Sequence, residues 1–201
     1  MVERFSRQNL HRQRTFRVLL EGLSRPGTVL TLPDLPSGPN EGEEFYFLLV
    51  AETLLDHEVR YSLPADETET PLGRRVKDIC RQGPVPPEEA DFLLAPRGTT
   101  GGGLSRAKRG LPEYPDQSAT VLYGVRRIGD RPKENPSFRL EGPGIAAFVS
   151  FPSLDGFDWT ELELLLEINR GFPLGVDAFF VDPGGKVLGL PRSTRPVGKE
   201  A

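Results

Sequence analysis

The chain has 201 residues, of which 37% are apolar, and its formal net charge is −4. A chain of this length can bury about 70% of its unfolded surface, so a single domain over residues 1–201 needs no disulfides or metals for stability. The negative charge does not favour binding to DNA or RNA. Cys80 is the only cysteine, which excludes an intrachain disulfide and suits a reducing cytoplasm.

The hydropathy pattern favours a soluble cytoplasmic protein. The N-terminal residues contain no apolar run of the kind found in a signal peptide. The longest apolar run, residues 45–51, is far too short to span a bilayer. We therefore expect no contact with membranes.

Apolar residues at helical spacing predict the first helix. Phe16, Leu19, Leu20 and Leu23 fall at i, i+3, i+4 and i+7, which would place them on one buried face. The helix is expected to end at residues 24–27, Ser-Arg-Pro-Gly, because proline cannot continue the hydrogen-bond ladder.

The rest of the chain predicts a mixed β-sheet flanked by helices, in the α/β class. Further helices are expected at Glu44–Leu55, Pro71–Arg81 and Trp159–Asn169, the last with Asp158 and Glu161 as a capping box. Strands are expected at residues 28–32, 57–63, 91–95, 119–125 and 137–140. Residues 119–140 read as a meander, and a hairpin follows the last helix.

The glycine-rich segment 98–110, GTTGGGLSRAKRG, predicts a flexible loop. Gly98 and Gly103 have the separation found in a phosphate-binding Walker loop. Leu104, however, stands where such a loop needs a lysine on the phosphates. The segment is therefore not a Walker loop.

The closing hairpin, FPLGVDAFFVDPGGKVLGLPRSTR, carries an acid on one strand and ends in two arginines and two hydroxyls. A turn at Gly184-Gly185 would place Asp177 opposite Arg192, and a turn at Pro183-Gly184 would place it opposite Leu190. In both registers Asp177 shares a face with Phe179, Val181, Leu188, Leu190 and Arg192.

Two interpretations of this strand end remain open. A carboxylate on an apolar face is costly unless it is paired, which favours a structural ion pair between Asp177 and Arg192. Alternatively, Arg192, Ser193, Thr194 and Arg195 form an anion site, because guanidinium groups and hydroxyls suit phosphate oxygens.

The sequence offers little for metal, covalent or cofactor chemistry. His11 and His57 are the only histidines and lie far apart, so a zinc site lacks ligands. No nucleophile elbow is present, and Cys80 falls in a predicted helix, where a packing role is expected. None of the five lysines has a setting typical of a Schiff base. We predict no catalytic residues, no metal and no cofactor.

Three separated stretches together resemble the H subunit (PhnH) family of the bacterial carbon–phosphorus lyase core complex. The first block matches at Gln13, Phe16, Arg17, Leu19, Leu20, Ser24, Pro26 and Gly27, with Gly22 and Leu23 in place of the usual Ala-Met. Later blocks match at Leu140, Gly142, Pro143, Gly144, Ile145, Phe172, Pro173, Leu174, Gly175 and Asp177. The last matches at Pro191, Arg192 and Thr194, with Ser193 for the usual threonine. Segment 98–110 matches no part of the pattern.

The resemblance implies a fold similar to the large domain of pyridoxal-phosphate-dependent transferases, without the cofactor or its lysine. It also implies a homodimer in isolation and a complex with the G, I and J subunits. With an ATP-binding partner, such complexes transfer an alkylphosphonate to C1′ of the ribose of ATP and release adenine. The iron–sulfur cluster and the cleavage of the carbon–phosphorus bond belong to the J subunit.

Two functions follow as hypotheses. The favoured one is a non-autonomous transferase subunit, in which exposed arginines such as Arg17 and Arg195 meet a polyanionic substrate or an acidic partner. The alternative is a stand-alone phosphate- or nucleotide-binding transferase or hydrolase that uses residues 192–195 as its clamp. That enzyme would need a general base, for which the sequence offers Asp177 or a distant histidine.

Overall fold

The computed structural model describes residues 2–33, 44–129 and 139–197, which form a mixed six-stranded β-sheet with helices on both faces. The strand order is β1-β10-β9-β4-β3-β2. Strands β2, β3, β4 and β9 are parallel, whereas at one edge β10 pairs antiparallel with β9 and β1 pairs antiparallel with β10. This arrangement confirms the predicted mixed sheet flanked by helices.

The helices are α1 (Val2–Ser24), α2 (Phe45–Leu54), α3 (Pro71–Cys80) and α4 (Trp159–Asn169). The strands are β1 (Leu30–Thr31), β2 (Tyr61–Ser62), β3 (Phe92–Ala95), β4 (Thr120–Gly124), β5 (Arg127–Ile128), β6 (Arg139–Glu141), β7 (Val149–Ser150), β8 (Leu154–Asp155), β9 (Asp177–Val181), β10 (Lys186–Leu190) and β11 (Arg195–Pro196). Short 3-10 helices lie at Ala65–Glu67, Gly103–Arg106 and Pro115–Gln117.

Side-chain alternation along the central strands divides the apolar core into two layers. Phe179 and Val181 of β9 pack with α1, α2 and α3 on one face of the sheet. Ala178 and Phe180 pack with α4 on the other face, together with residues of the smaller sheets. The central strands are therefore buried on both faces, as parallel strands in α/β proteins usually are.

Helix α1 lies directly on β10, but with a different face from the one predicted. A Cβ on Gly189 would lie 2.5 Å from the carbonyl carbon of Gly22, so the two backbones are in contact. This approach turns Leu19 and Gly22 inward and leaves Phe16 45% and Leu20 51% exposed. The predicted grouping of Phe16 and Leu20 with Leu19 on a buried face is therefore wrong.

The β9–β10 hairpin has neither of the predicted registers. Val181 pairs with Val187 and Ala178 with Leu190, and the N–H of Asp182 donates to the carbonyl of Lys186, so the loop contains three residues, Pro183, Gly184 and Gly185. With this odd count Leu188 and Leu190 lie on the face opposite to Phe179 and Val181. The prediction that all four share one face with Asp177 is wrong.

Residues 119–140 do not form a meander. Strand β4 pairs with β3 and β9, while β5 pairs with β8 and β6 pairs with β7 and β11. The turn residues suggested that neighbouring strands pair as hairpins, whereas the partners come from other segments of the chain. Residues 137 and 138 of the strand predicted at 137–140 lie outside the described residues.

The glycine-rich segment 98–110 is folded against α4. Leu104 is fully buried and Ala107 nearly so, and both join the apolar layer that contains α4. Its glycines serve close contacts, since a Cβ on Gly98 would lie 2.2 Å from the carbonyl oxygen of Gly156. The flexibility expected from the composition of this segment stays a prediction, but its packing contacts could not be predicted from composition.

None of the helices in the described part of the chain is both long and apolar enough to cross a membrane.

Candidate functional site

Asp177 and Arg192 form an ion pair at the end of the hairpin. The Arg192 backbone N–H donates to Asp177 Oδ1 at 2.8 Å, and Nε lies 3.2 Å from both carboxylate oxygens. The guanidinium also donates to the carbonyl of Pro115. The sequence analysis expected this contact because Asp177 and Arg192 would share one face of two paired strands. In the structure β10 ends at Leu190, and Arg192 reaches Asp177 from the segment that follows the strand.

The separated motif blocks meet around this ion pair, in a region we call the motif junction: residues 24–27, 140–145, 172–177 and 191–195. A Cβ on Gly144 would lie 2.2 Å from the carbonyl oxygen of Ser24, and one on Gly142 would lie 2.8 Å from that of Ser193. Asn169 binds both backbone groups of Val176 and so ties the end of α4 to this region. The glycines of the motifs therefore allow three chain segments to pack at backbone contact.

The accessible part of the motif junction is a shallow depression of about 440 Å³. Its lining residues are Glu141, Gly142, Pro143, Ala147, Phe172, Ser193 and Arg195. Phe172 is 46% exposed, and Arg195 is also exposed. The depression thus offers an aromatic ring, a hydroxyl and a guanidinium to a ligand or a partner.

The five candidate residues from the sequence do not form one clamp. Arg192 is engaged by Asp177, and Thr194 is 1% exposed with a hydroxyl that has no hydrogen-bond partner among the described residues. Ser193 and Arg195 line the depression. Arg17 is exposed on α1, seven residues before Ser24, which is about 10 Å along a helix axis. It therefore lies away from the motif junction.

Glu161 is a buried carboxylate that the sequence assigned to a capping box. Asp158 is the N-cap, because it accepts from the backbone N–H of Thr160 at 3.0 Å. Glu161 instead turns inward and accepts from Thr100, through N–H and hydroxyl, both at 2.8 Å, and from the Tyr123 hydroxyl at 2.7 Å. The capping-box prediction for Glu161 is wrong, since the carboxylate fixes segment 98–110 on α4.

Tyr123 shares this environment. Burial, followed by the proximity of the Glu161 carboxylate, raises the pKa of Tyr123 well above its ordinary value. The phenol therefore stays protonated and donates to Glu161. The ring also stacks on Phe180 with centroids 5.1 Å apart, so the pair is locked into the core.

A second cavity, which we call the strand-end cleft, lies where β3, β4 and β9 end. It has a volume of about 290 Å³ and is lined by Glu44, Phe47, Pro96, Arg97, Gly124, Val125, Arg126, Gly156, Val181, Asp182 and Pro183. In open α/β sheets, ligands bind outside the carboxyl ends of parallel strands. The sequence reasoning missed this site, although the residues following the predicted strands at 91–95 and 119–125 would have indicated it.

Metal and pyridoxal-phosphate chemistry can be tested on the residues present. Among the described residues, no group of three His, Cys, Asp or Glu side chains could hold a metal ion. The described lysines, Lys77, Lys108 and Lys186, do not line the strand-end cleft, where a Schiff base would be expected. These residues do not fit a covalently bound pyridoxal phosphate.

A comparison with known protein families finds a family whose model matches almost the whole chain. The model of the bacterial phosphonate metabolism protein (PhnH) family matches residues 3–197. The match spans both the motif junction and the strand-end cleft. No curated protein matches the chain significantly.

Proposed function

Because the chain belongs to the bacterial phosphonate metabolism protein (PhnH) family, we propose that it is a non-autonomous subunit of the carbon–phosphorus lyase system. It acts in the cytoplasm with the G and I subunits and supports the transfer of an alkylphosphonate to C1′ of the ribose of ATP. The product is a ribose 1-alkylphosphonate 5-triphosphate. The observation that carries this proposal is the family match over nearly the whole chain.

The motif junction supports a role in assembly. Motif residues from four parts of the chain meet there, and Phe172, Ser193 and Arg195 remain accessible in its depression. An exposed aromatic ring beside an arginine is typical of the centre of a protein interface. We assign this depression to a contact with the other subunits, among them the I and J subunits.

The exposed apolar residues of α1 support a further protein contact. Leu10, Phe16 and Leu20 are each more than 40% exposed and fall within one side of the helix, next to Arg17. Exposed apolar groups of this size are costly in a monomer. We assign this side of α1 to the homodimer that the chain forms in isolation.

The sheet supports the expected relation to the large domain of pyridoxal-phosphate-dependent transferases. Four parallel strands with antiparallel additions at one edge and helices on both faces suit that architecture. A stand-alone enzyme has less support, because Asp177, its candidate general base, is held by Arg192. A base role would require this ion pair to open.

Co-expression with the G, I and J subunits tests the assembly role. The wild-type chain is expected to co-purify with them, and omission of the chain should abolish phosphonate-dependent release of adenine from ATP. The charge reversal Arg195→Glu in the depression should weaken co-purification. Lys77→Glu, a charge reversal at another exposed residue, on α3, is the matched control and should leave co-purification unchanged.

A wild-type chain that ignores the other subunits and turns over a phosphorylated substrate alone would overturn the proposal. Equal loss of co-purification in Arg195→Glu and Lys77→Glu would instead remove the motif junction as the contact surface. Circular dichroism of both variants checks that the fold is retained.

A further inference from the structure

Two charged side chains of the strand-end cleft, Asp182 and Arg97, bind other groups of the protein. Asp182 is buried and fully hydrogen-bonded, because it accepts from the backbone N–H groups of Gly184, Lys186 and Ile128 at 2.9 to 3.0 Å. Arg97 is engaged by the buried carboxylate of Glu67. That hydrogen bond, with the nearby charges of Glu44 and Asp66, raises the pKa of Arg97. Glu67, Glu44 and Asp66 therefore lie near Arg97, whereas Asp182 is held by backbone donors.

Arg126 is the remaining cation of the lining. Its side chain is exposed, and its guanidinium makes no hydrogen bond or ion pair with a described residue. Its backbone is fixed by a 2.8 Å hydrogen bond from its N–H to the carbonyl of Asp155. The cleft thus holds one arginine that has no carboxylate partner within the described ranges.

Gly156 provides the room for this arginine. It has φ +72°, and a Cβ at this position would lie 2.8 Å from both Cγ and Nε of Arg126. Any other residue would displace the arginine side chain from this path. The position of the guanidinium at the cleft therefore depends on a glycine in a neighbouring loop.

Part of the cleft lining is apolar, and we call this part the floor. Phe47 and Val181 are buried there, and Gly124 contributes no side chain. A volume of about 290 Å³ lies at the lower end of small-molecule sites, so the ligand has few heavy atoms. An apolar floor with a guanidinium at one side suits a small anion that carries a short alkyl group.

From this geometry we propose that the strand-end cleft is a binding site for a small phosphorus oxyanion, held by Arg126. Guanidinium groups bind tetrahedral oxyanions through two parallel hydrogen bonds, and the apolar floor accommodates an alkyl substituent. The choice of a phosphonate over other anions rests on the proposed function. The location of the site rests on the cleft alone.

Titration of the isotope-labelled chain with methylphosphonate, followed by amide NMR, tests the site. Shifts are expected at Gly124, Val125, Arg126, Gly156 and Val181. Arg126→Gln should weaken binding about ten-fold, the effect expected when a charged hydrogen-bond partner is lost. Arg127→Gln removes the neighbouring exposed arginine, which does not line the cleft, and should change affinity less than two-fold, a difference of about 0.4 kcal/mol.

A parallel titration with inorganic phosphate distinguishes a site for alkylphosphonates from a site for any phosphorus oxyanion. Weaker binding of phosphate than of methylphosphonate supports recognition of the alkyl group by the floor, and equal binding restricts the site to the oxyanion alone. Shifts that appear only around Ser193 and Arg195, equal losses in the two arginine variants, or no shifts with either anion would overturn the proposal. Failure of co-purification with the other subunits would leave these titrations unaffected, so the two proposals fail separately.

Discussion

The motif junction contains a partly buried carboxylate, Asp177, and the segments next to the strand-end cleft contain a buried one, Glu161, but the two carboxylates bind different kinds of partner. Asp177 in the junction faces the guanidinium of Arg192. Glu161 faces neutral donors, from Thr100 and Tyr123, and holds segment 98–110 against the loop that contains Gly156. In the junction, cation and anion bind each other, whereas at the cleft Asp182 and Glu67 bind other groups and the guanidinium of Arg126 has no partner among the described residues.

This difference separates residues that stabilise the fold from residues that can bind. Removing one member of a largely buried ion pair leaves an uncompensated charge, which is costly. Removing an arginine without a partner costs the fold little. Mutation of the junction ion pair should therefore lower the stability of the fold, whereas mutation of Arg126 should weaken ligand binding.

The largest effect is expected at Asp177. Asp177→Ala leaves the partly buried guanidinium of Arg192 unpaired and should lower the free energy of unfolding by about 3 kcal/mol. Thr194→Ala removes a hydroxyl that has no partner among the described residues and should cost under about 1 kcal/mol. Urea denaturation measures both. The reverse order would contradict the structural role of the ion pair.

The next effect is expected at Glu161. Glu161→Gln places an amide NH₂ group among the donors of Thr100 and Tyr123, which should cost about 2 kcal/mol and expose segment 98–110 to proteolysis. The matched control is Glu163→Gln, an exposed residue of the same helix, which should leave both properties unchanged. Equal protease sensitivity in the two variants would show that Glu161 does not hold the segment.

A smaller effect with a defined pH dependence is expected at Tyr123. Tyr123→Phe removes one hydrogen bond to Glu161 and should cost about 1 kcal/mol at neutral pH. The raised pKa keeps the folded phenol protonated above about pH 10, where tyrosine in the unfolded chain ionises. Stability from Tyr123 is thus fully present below that pH and is lost as the pH rises further.

Denaturation curves of wild type and Tyr123→Phe between pH 7 and pH 11 check this sign. The gap in unfolding free energy should stay constant up to about pH 9 and narrow above it. A gap that widens at alkaline pH would mean that the phenol ionises more readily in the fold than in the unfolded chain.

The smallest effect on stability is expected at Arg126. Arg126→Gln should change the free energy of unfolding by less than about 0.5 kcal/mol, as is usual for an exposed residue without partners. The same variant should lose oxyanion binding. A destabilisation comparable to that of Asp177→Ala would show that Arg126 stabilises the fold. It would contradict the distinction between a stabilising ion pair in the motif junction and a binding arginine in the cleft.

The sequence predicted the elements of this fold better than their pairing. Helical periodicity and capping residues placed α3 and α4 within a residue of their observed bounds, because these signals are local. The hairpin register depends on a three-residue loop in a Pro-Gly-Gly segment, which permits several turns. The exposure of Phe16 depends on the contact between Gly22 and Gly189, which lie in distant parts of the chain.

The candidate sites show the same limit. Asp177 and Arg192 could be proposed as partners because both occur in one hairpin. The network of Glu161 could not, since its donors come from segment 98–110 and β4, and the spacing of Asp158 and Glu161 mimics a common local motif. The strand-end cleft needed the knowledge that β3, β4 and β9 are adjacent and parallel.

The β9–β10 hairpin is buried on both faces, and this has a consequence for how its alignment is chosen. In a sheet with one wet face, sliding a strand by one residue exposes apolar groups and is penalised. Here a shift by one residue would move Phe179 and Phe180 from one apolar layer of the core to the other. Burial of apolar groups therefore discriminates poorly between the alternative registers. The register is instead selected by two acids at opposite ends of the hairpin. Asp182 accepts hydrogen bonds from the backbone of the turn, and Asp177 accepts one from the backbone N–H of Arg192, where the chain leaves β10.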